Sequence, residues 1–337
     1  MNYRFLFILI LALGLPSVSC TSNSDKSTLN ILTYSSFQSP FGPAPTIFKS
    51  FEKKCNCKVK AINAGDALMI KQKLKFESEK VDLIIGLDQF LVFELEPEKY
   101  FSRISSKVNF DPIIPKLGKK HHEYYLPYDW APLTFLKRTE QKKYPKKLKD
   151  LFAEEYKKSV IVSDAAFSSP GKHFLFWFSQ ENSKFTESRL KSFKNSIFKI
   201  APSWTSSYGL FQKGNADYIF SYITSPMYHK LVEKKELVEP MFFEDVSSYP
   251  VQVEYVALNK NSKKAVLAKQ FIDHLLEDES QNTLMNKNFM FSVKKDVIQK
   301  SEFNQIYKKA LKIKSLDYSL YYDNQDLLRT YWLNFKK

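Results

Sequence analysis

The chain has 337 residues, 44% of them hydrophobic and 26% charged, with a formal net charge of +15 carried by lysines spread along its length. A nucleic-acid binder would gather arginines and aromatics on one element. The basic runs here, such as "KKYPKKLK" at 142–149, read instead as solvated loop and helix faces, which excludes that class.

The first 20 residues, "MNYRFLFILILALGLPSVSC", combine a basic residue (Arg4), an apolar run from Phe5 to Leu15 and small residues ahead of Cys20. This is the pattern of a secretory signal. Cys20 is the expected lipid-attachment site, with residues 21–28 as a flexible polar spacer. No other stretch approaches the ~18 uninterrupted apolar residues that a transmembrane helix needs. What remains is longer than one hydrophobic core usually serves, so two lobes are expected.

"TLNILTYSSF" alternates as a strand ending at Tyr34, and "FGPAPTIFKSFEKK" reads as a helix with Pro45 in its first turn and Ile47, Phe48 and Phe51 on one face. "CKVKAINAG" is a strand, "DALMIKQKLKFES" a helix and "VDLIIGLD" a buried strand. This alternation predicts a mainly parallel sheet covered on both faces, with Tyr34, Gly65, Asp66 and Asp88 at the rim beyond the strand ends. The rhythm returns in the middle of the chain. "SVIVSDAAFSSPGKHFLFWF" gives a strand, a loop and a helix from Pro170; "SIFKIAPSW", "SSYGLFQKGN" and "ADYIFSYIT" give strand, helix and strand. A strand, "VQVEYVALNK", is followed by one long amphipathic helix, "KKAVLAKQFIDHLLEDESQNTLM", and by a helical, aromatic end. The fold class is α/β with two lobes and a ligand cleft between them. Residues 29–126 plus 255–337 form one lobe and 127–254 the other, with crossovers near 126–130 and 250–256.

Tyr34, Trp204, Tyr222 and Tyr228 fall at element ends, joined by Tyr128 and Trp130 at a presumed crossover. Such placement leans toward rings facing a flat or cationic ligand, but with 15% aromatics overall spacing alone leaves core packing the stronger reading. "SSPGK" at 168–172 is a helix-cap signature, and the same helix end can hold an anion if it faces a cleft. "HHEYY" at 121–125 reads as a surface loop, because adjacent residues point apart and cannot all reach one metal. Cys55 and Cys57 are too few for a zinc site; an exported location favours a small-ring disulfide between them. The chain lacks GxSxG, HExxH and P-loop motifs.

"NILTYSSFQSPFGPAPTIFKSFEKKCNCKVK", "VDLIIGLDQ", "LPYDWAPLTF", "SWTSSYGLFQKGNADYIFSYITSPMYHK" and "NKNFMFSV" resemble, in order, the periplasmic thiamine-binding proteins of ABC transporters. The resemblance covers residues 28–293. It implies a type-II solute-binding fold whose lobes close over thiamine, its monophosphate or its diphosphate, with no cofactor and no catalysis. The chain would be a monomer at the periplasm or cell surface, anchored to the membrane by lipid and serving an ABC permease. Carried over residue by residue, Tyr34, Trp204, Tyr222 and Tyr228 line the vitamin pocket. Asp66 meets the aminopyrimidine, and Ser168 and Ser169 lie on the phosphate side. Phe41 and Phe289 stand where the family has Trp, and Ser35 where it has Asp; the Phe changes keep stacking but lose an N–H. Two alternatives remain. One is a ferric-ion or other small-solute receptor of the same fold, using tyrosines of "EYY" (123–125) or "LYYD" (320–323). The other is a thiamine-degrading enzyme with a cysteine nucleophile, which the position of Cys55 and Cys57 at the amino end of a strand disfavours.

Overall fold

An apolar alternation, Leu29, Ile31 and Leu32, with none of its surface exposed, nucleates β1 (Thr28–Thr33). In the computed structural model, which describes residues 27–117, 121–180, 186–318 and 320–337, β1 lies parallel between β2 (Lys58–Asn63) and β3 (Leu83–Leu87). The signal segment, the spacer to residue 26 and Cys20 fall outside the described residues. Lys58 and Lys60 are exposed on β2, the edge strand, where charge discourages pairing with another chain. The helix Ala44–Cys55 covers this sheet with Ile47, Phe48 and Phe51, as its spacing predicts. Its last residue, Cys55, is joined to Cys57 by a disulfide.

A two-residue strand, β4 (Phe101–Ser102), precedes β5 (Leu126–Arg138), a 13-residue strand that links the two halves of the molecule. The second half adds β6 (Val160–Ser163), β7 (Ile197–Ala201), β8 (Tyr218–Tyr222) and β9 (Val238–Pro240); β10 (Val251–Asn259) and β11 (Phe291–Ser292) return to the first. The strand order is β2-β1-β3-β10-β5-β8-β6-β7, with β4 paired to β10 and with β9 and β11 paired to β5. Each βαβ unit is parallel, but β10 and β5 run antiparallel to their neighbours, so the expectation of a mainly parallel sheet holds only within the β2-β1-β3 and β8-β6-β7 units. The stretch around "LPYDW" is not a loop crossover. Leu126–Pro132 pairs with β10 in one half and Leu133–Lys137 with β8 in the other, and the Leu133 N–H donates to the Pro250 carbonyl (2.8 Å) where the two crossovers meet.

Two further expectations need correction. The single long helix after β10 is two, Ala265–Leu275 and Asp278–Asn288, broken where Glu277 is extended. The break turns Gln281, Leu284 and Met285 inward, and Asp278 and Glu279 occupy the first turn of the new helix, where carboxylates suit its dipole. Nor does all of 255–337 join the first half: the helix Leu320–Lys336 packs Leu328, Trp332 and Phe335 into the core formed by Phe174, Trp177, Phe193 and Phe220. Trp332 Nε1 donates to Asp164 Oδ1 (2.7 Å) and Lys336 Nζ to Asp164 Oδ2 (2.5 Å). The C-terminal helix thereby holds the loop that leads from β6 to Ser168.

Candidate functional site

The strands of both halves end at one cleft of about 660 Å³, and the residues that line it come from loops after β1, β2, β6, β7 and β8, from β10 and from the end of helix Asp278–Asn288. Tyr34 follows directly on β1. Its ring lies on Gly86 of β3, which has φ +99°; a Cβ there would sit 2.3 Å from the Tyr34 ring, so only glycine admits this placement. After β6 the chain turns into helix Ser169–Gln180, and Gly171 lets that helix start pack tightly, since a Cβ would meet the Ser163 carbonyl at 2.4 Å. Ser168 and Ser169 are thus held at the wall, and the buried Ser168 Oγ has no hydrogen-bond partner among the described residues.

After β7, Ser203 caps helix Trp204–Gln212 by accepting from the Ser206 N–H (3.2 Å). Trp204 stacks on Tyr208 with ring centroids 5.2 Å apart, and its Nε1 donates to Ser221 Oγ (2.9 Å). Tyr222 ends β8 and Tyr228 follows one turn later; the Tyr228 ring meets Phe289 edge to face across the cleft, 5.5 Å between centroids. Phe289 has φ +53°, a left-handed conformation that is uncommon for a bulky residue, at the end of the helix it terminates. Phe41 is 87% exposed at the rim.

The floor is acidic. Glu254, 5% exposed in β10, accepts from the Tyr34 hydroxyl (2.7 Å), from the Tyr128 hydroxyl and from Gln252 Nε2 (3.0 Å). Tyr222 donates to Gln252 Oε1 (3.0 Å), so one hydrogen-bond chain runs from the second half to the first. Beneath it Asn288 Nδ2 donates to Asp129 Oδ2 (2.7 Å) and lies 3.1 Å from the Tyr34 hydroxyl. Burial pushes the Glu254 carboxyl up to about 7 against the pull of the two tyrosine hydroxyls. Burial and the Glu254 charge hold Asp129 well above the usual carboxylate range. Asp66 rises to about 6, also by burial, with the Ala67 and Leu68 amides drawing it back. The Tyr222 hydroxyl is held protonated by burial and by the negative field of Glu254, Asp129, Asp66 and Asp88. Among the described residues that line the cleft, Lys287 is the sole cation, and it is exposed.

Tyr34, Phe41, Asp66, Ser168, Ser169, Trp204, Tyr222, Tyr228 and Phe289 all line this one cleft. Ser35 lines it too, its hydroxyl bonded to Asn63 Oδ1 (3.0 Å). Other expectations place differently. Tyr128 lies under the floor, Trp130 is in the core with Nε1 donating to the Ser292 carbonyl (3.0 Å), and buried Asp88 caps helix Gln89–Glu94 through the Leu91 N–H. In "HHEYY" only His122 and Glu123 are exposed; Tyr124 and Tyr125 are buried in the first core, away from the cleft. Tyr321 of "LYYD" packs on Phe90 and Phe176. Sequence reasoning missed Glu254, Gln252 and Asn288. The signal for Glu254 was there: a lone carboxylate in the otherwise uncharged strand "VQVEYVALN".

A model of the bacterial extracellular solute-binding proteins matches residues 78–320. The chain belongs to that family. It is 30% identical over 288 residues to the thiamine-binding periplasmic protein of Salmonella typhimurium, spanning 85% of this chain and 86% of that one. The protein of the same description from Escherichia coli K12 is also 30% identical, over 80% of this chain and 81% of its own length. A solved periplasmic thiamin binding protein superposes with a TM-score of 0.79 at 26% identity, covering 93% of this chain and 97% of that one. The apo ferric ion-binding protein A of Pasteurella haemolytica superposes at 0.73 over 92% and 98% of the two chains, but at 18% identity it shares the fold alone. The solute-binding fold of two α/β halves is therefore common to this chain and to relatives that are binding proteins.

Proposed function

We propose that this chain is an extracytoplasmic receptor for thiamine and its phosphates that hands its ligand to the permease of an ABC transporter. The observation that carries this reading is the pairing, in one cleft, of aromatic faces over an acidic floor with hydroxyls at a helix start. Trp204, Tyr222, Tyr228, Tyr34 and Phe289 offer stacking surface, and Glu254 and Asp66 supply negative charge to a cationic heteroaromatic ligand. Ser168 and Ser169, at the N-terminus of helix Ser169–Gln180, suit the phosphate end, because the first turn of a helix has N–H groups without intrahelical acceptors. The shared strand β5 and its neighbour β10 act as the hinge about which the halves close. The relatives supply the ligand's name, and they are described as periplasmic; this chain is assigned the same compartment, with Cys20 as its lipid anchor. The chain acts as a monomer without cofactor, and no bond in the ligand is broken. The disulfide supports that last point, since it occupies both sulfurs of Cys55 and Cys57, neither of which lines the cleft.

The test is a tryptophan-fluorescence titration of the protein with thiamine, its monophosphate and its diphosphate, beside a Trp204→Ala variant. Saturable quenching by at least one of the three, with affinity reduced about tenfold or more in the variant, is expected. No response from folded, ligand-free protein would refute the reading.

A further inference from the structure

Glu254 has a stronger claim on a ligand's positive charge than the rest of the wall. It is a carboxylate almost wholly removed from water, yet its closest partners, Tyr34, Tyr128 and Gln252, are neutral donors. The groups acting on it most strongly are Tyr128, Tyr34, Asp88 and Gln252, none of them a cation. Nearby are Asp129 from β5, on which its charge acts, Asn288 from the end of its helix, Tyr222 through Gln252, and Asp88 from the first half, with Asp66 elsewhere on the cleft wall. Lys172, the cation that acts on Asp88, is already paired with Glu94 at 2.9 Å. Asp66, the carboxylate singled out from sequence, is less buried and has the Ala67 and Leu68 amides as partners. A buried carboxylate without a cation is unfavourable unless something else brings the charge.

We propose that Glu254, held at the cleft floor by Tyr34, Tyr128 and Gln252, is the counter-ion that selects a positively charged ring over a neutral one. This rests on the thiamine-class reading above and names the residue that meets the fixed charge of the thiazolium. Because Glu254 must be ionised to do so, and burial brings its titration to about 7, cation binding strengthens as pH rises from 6 to 8. Glu254 also ties the two halves together, since the Tyr222–Gln252–Glu254–Tyr34 chain spans them. Its charge state thus bears on the same contacts that closure brings together.

The experiment is calorimetric titration of the full chain and its Glu254→Gln and Asp66→Asn variants, at pH 6, 7 and 8, with thiamine and with its neutral thiophene isostere. Glutamine keeps an oxygen for Tyr34 and Tyr128, and circular dichroism checks the fold. The expected result is that Glu254→Gln weakens thiamine binding about 30-fold or more at pH 8, leaves the neutral isostere within about threefold and removes the pH dependence centred near 7, leaving only that of Asp66 near 6. Equal losses for both ligands, no loss for either, or a charge-selective loss confined to Asp66→Asn would each overturn the counter-ion assignment while leaving the receptor reading intact. Failure of the wild-type chain to bind thiamine at any pH would instead refute the receptor reading, and the assignment with it.

Discussion

Replacing Glu254 by glutamine is expected to stabilise the ligand-free protein, and by an amount that depends on pH. The carboxyl titrates at about 7 in the fold against 4.5 when solvated. Between those values the folded state holds a proton that the unfolded state releases, so wild-type stability falls as pH rises through this window and levels off above it. At about 1.4 kcal/mol per pKa unit the fall amounts to roughly 3 kcal/mol. Glutamine never ionises and escapes it. The variant should therefore match the wild type near pH 4.5 and exceed it by about 3 kcal/mol at pH 8, or about 6 °C in melting temperature at ~2 °C per kcal/mol for a chain of this size. Asp129 adds to the gain in the same direction, because the Glu254 charge that helps to hold it up is gone. Urea unfolding followed by circular dichroism at several pH values, without ligand, measures the difference. A gain independent of pH, or a variant less stable than wild type at pH 8, would refute the argument that this charge is buried without compensation. Together with the binding titration, the measurement asks whether the residue opposes folding and favours ligand.

Gly86→Ala should lower stability by about 2–4 kcal/mol, combining a positive-φ penalty with a clash against the Tyr34 ring, and weaken ligand binding by displacing Tyr34 from Glu254. An unchanged melting curve would mean that the ring can move off β3 freely. Trp332→Ala removes a buried ring from the second core and the hydrogen bond to Asp164; a loss of about 3–5 kcal/mol is expected from thermal or urea unfolding. Ligand titration of that variant should show the phosphorylated forms affected more than thiamine, because Asp164 leads into the loop that ends at Ser168. In a Cys20→Ser background the unfolded, unreduced chain should present no titratable thiol and the reduced chain two, which a chromogenic thiol assay would count.

Much of this was legible in the residues. Alternation in "TLNILT" and the unbroken apolar run "LIIGL" mark strands whatever surrounds them, because burial on one or both faces dictates the pattern. The Ser-Pro-Gly run at 168–171 marks a helix start for an equally local reason: caps are written in the residues that make them. Aromatics at element ends, read with the family resemblance, pointed to a cleft before any fold was in view.

What the sequence could not decide is where distant segments meet. The stretch "LPYDW" reads as a crossover between lobes, and the residues alone do not show it continuing as one strand through both; proline removes a ladder hydrogen bond. The structure accommodates Pro127 and Pro132 within β5, Pro132 where the chain passes from one half to the other. The last helix left the first half for the second because only the completed fold offered Phe174, Trp177 and Asp164 as partners. Glu254 shows the same division. By itself it is a lone carboxylate in an otherwise uncharged strand, a local signal that marks the residue but does not say what it meets. Its meaning comes from Tyr34, Tyr128 and Gln252, two of them more than a hundred residues away, and from the exclusion of water that shifts its titration. Element identity follows from local periodicity, which the sequence contains. Burial and charge at a site are sums over neighbours that folding alone brings together.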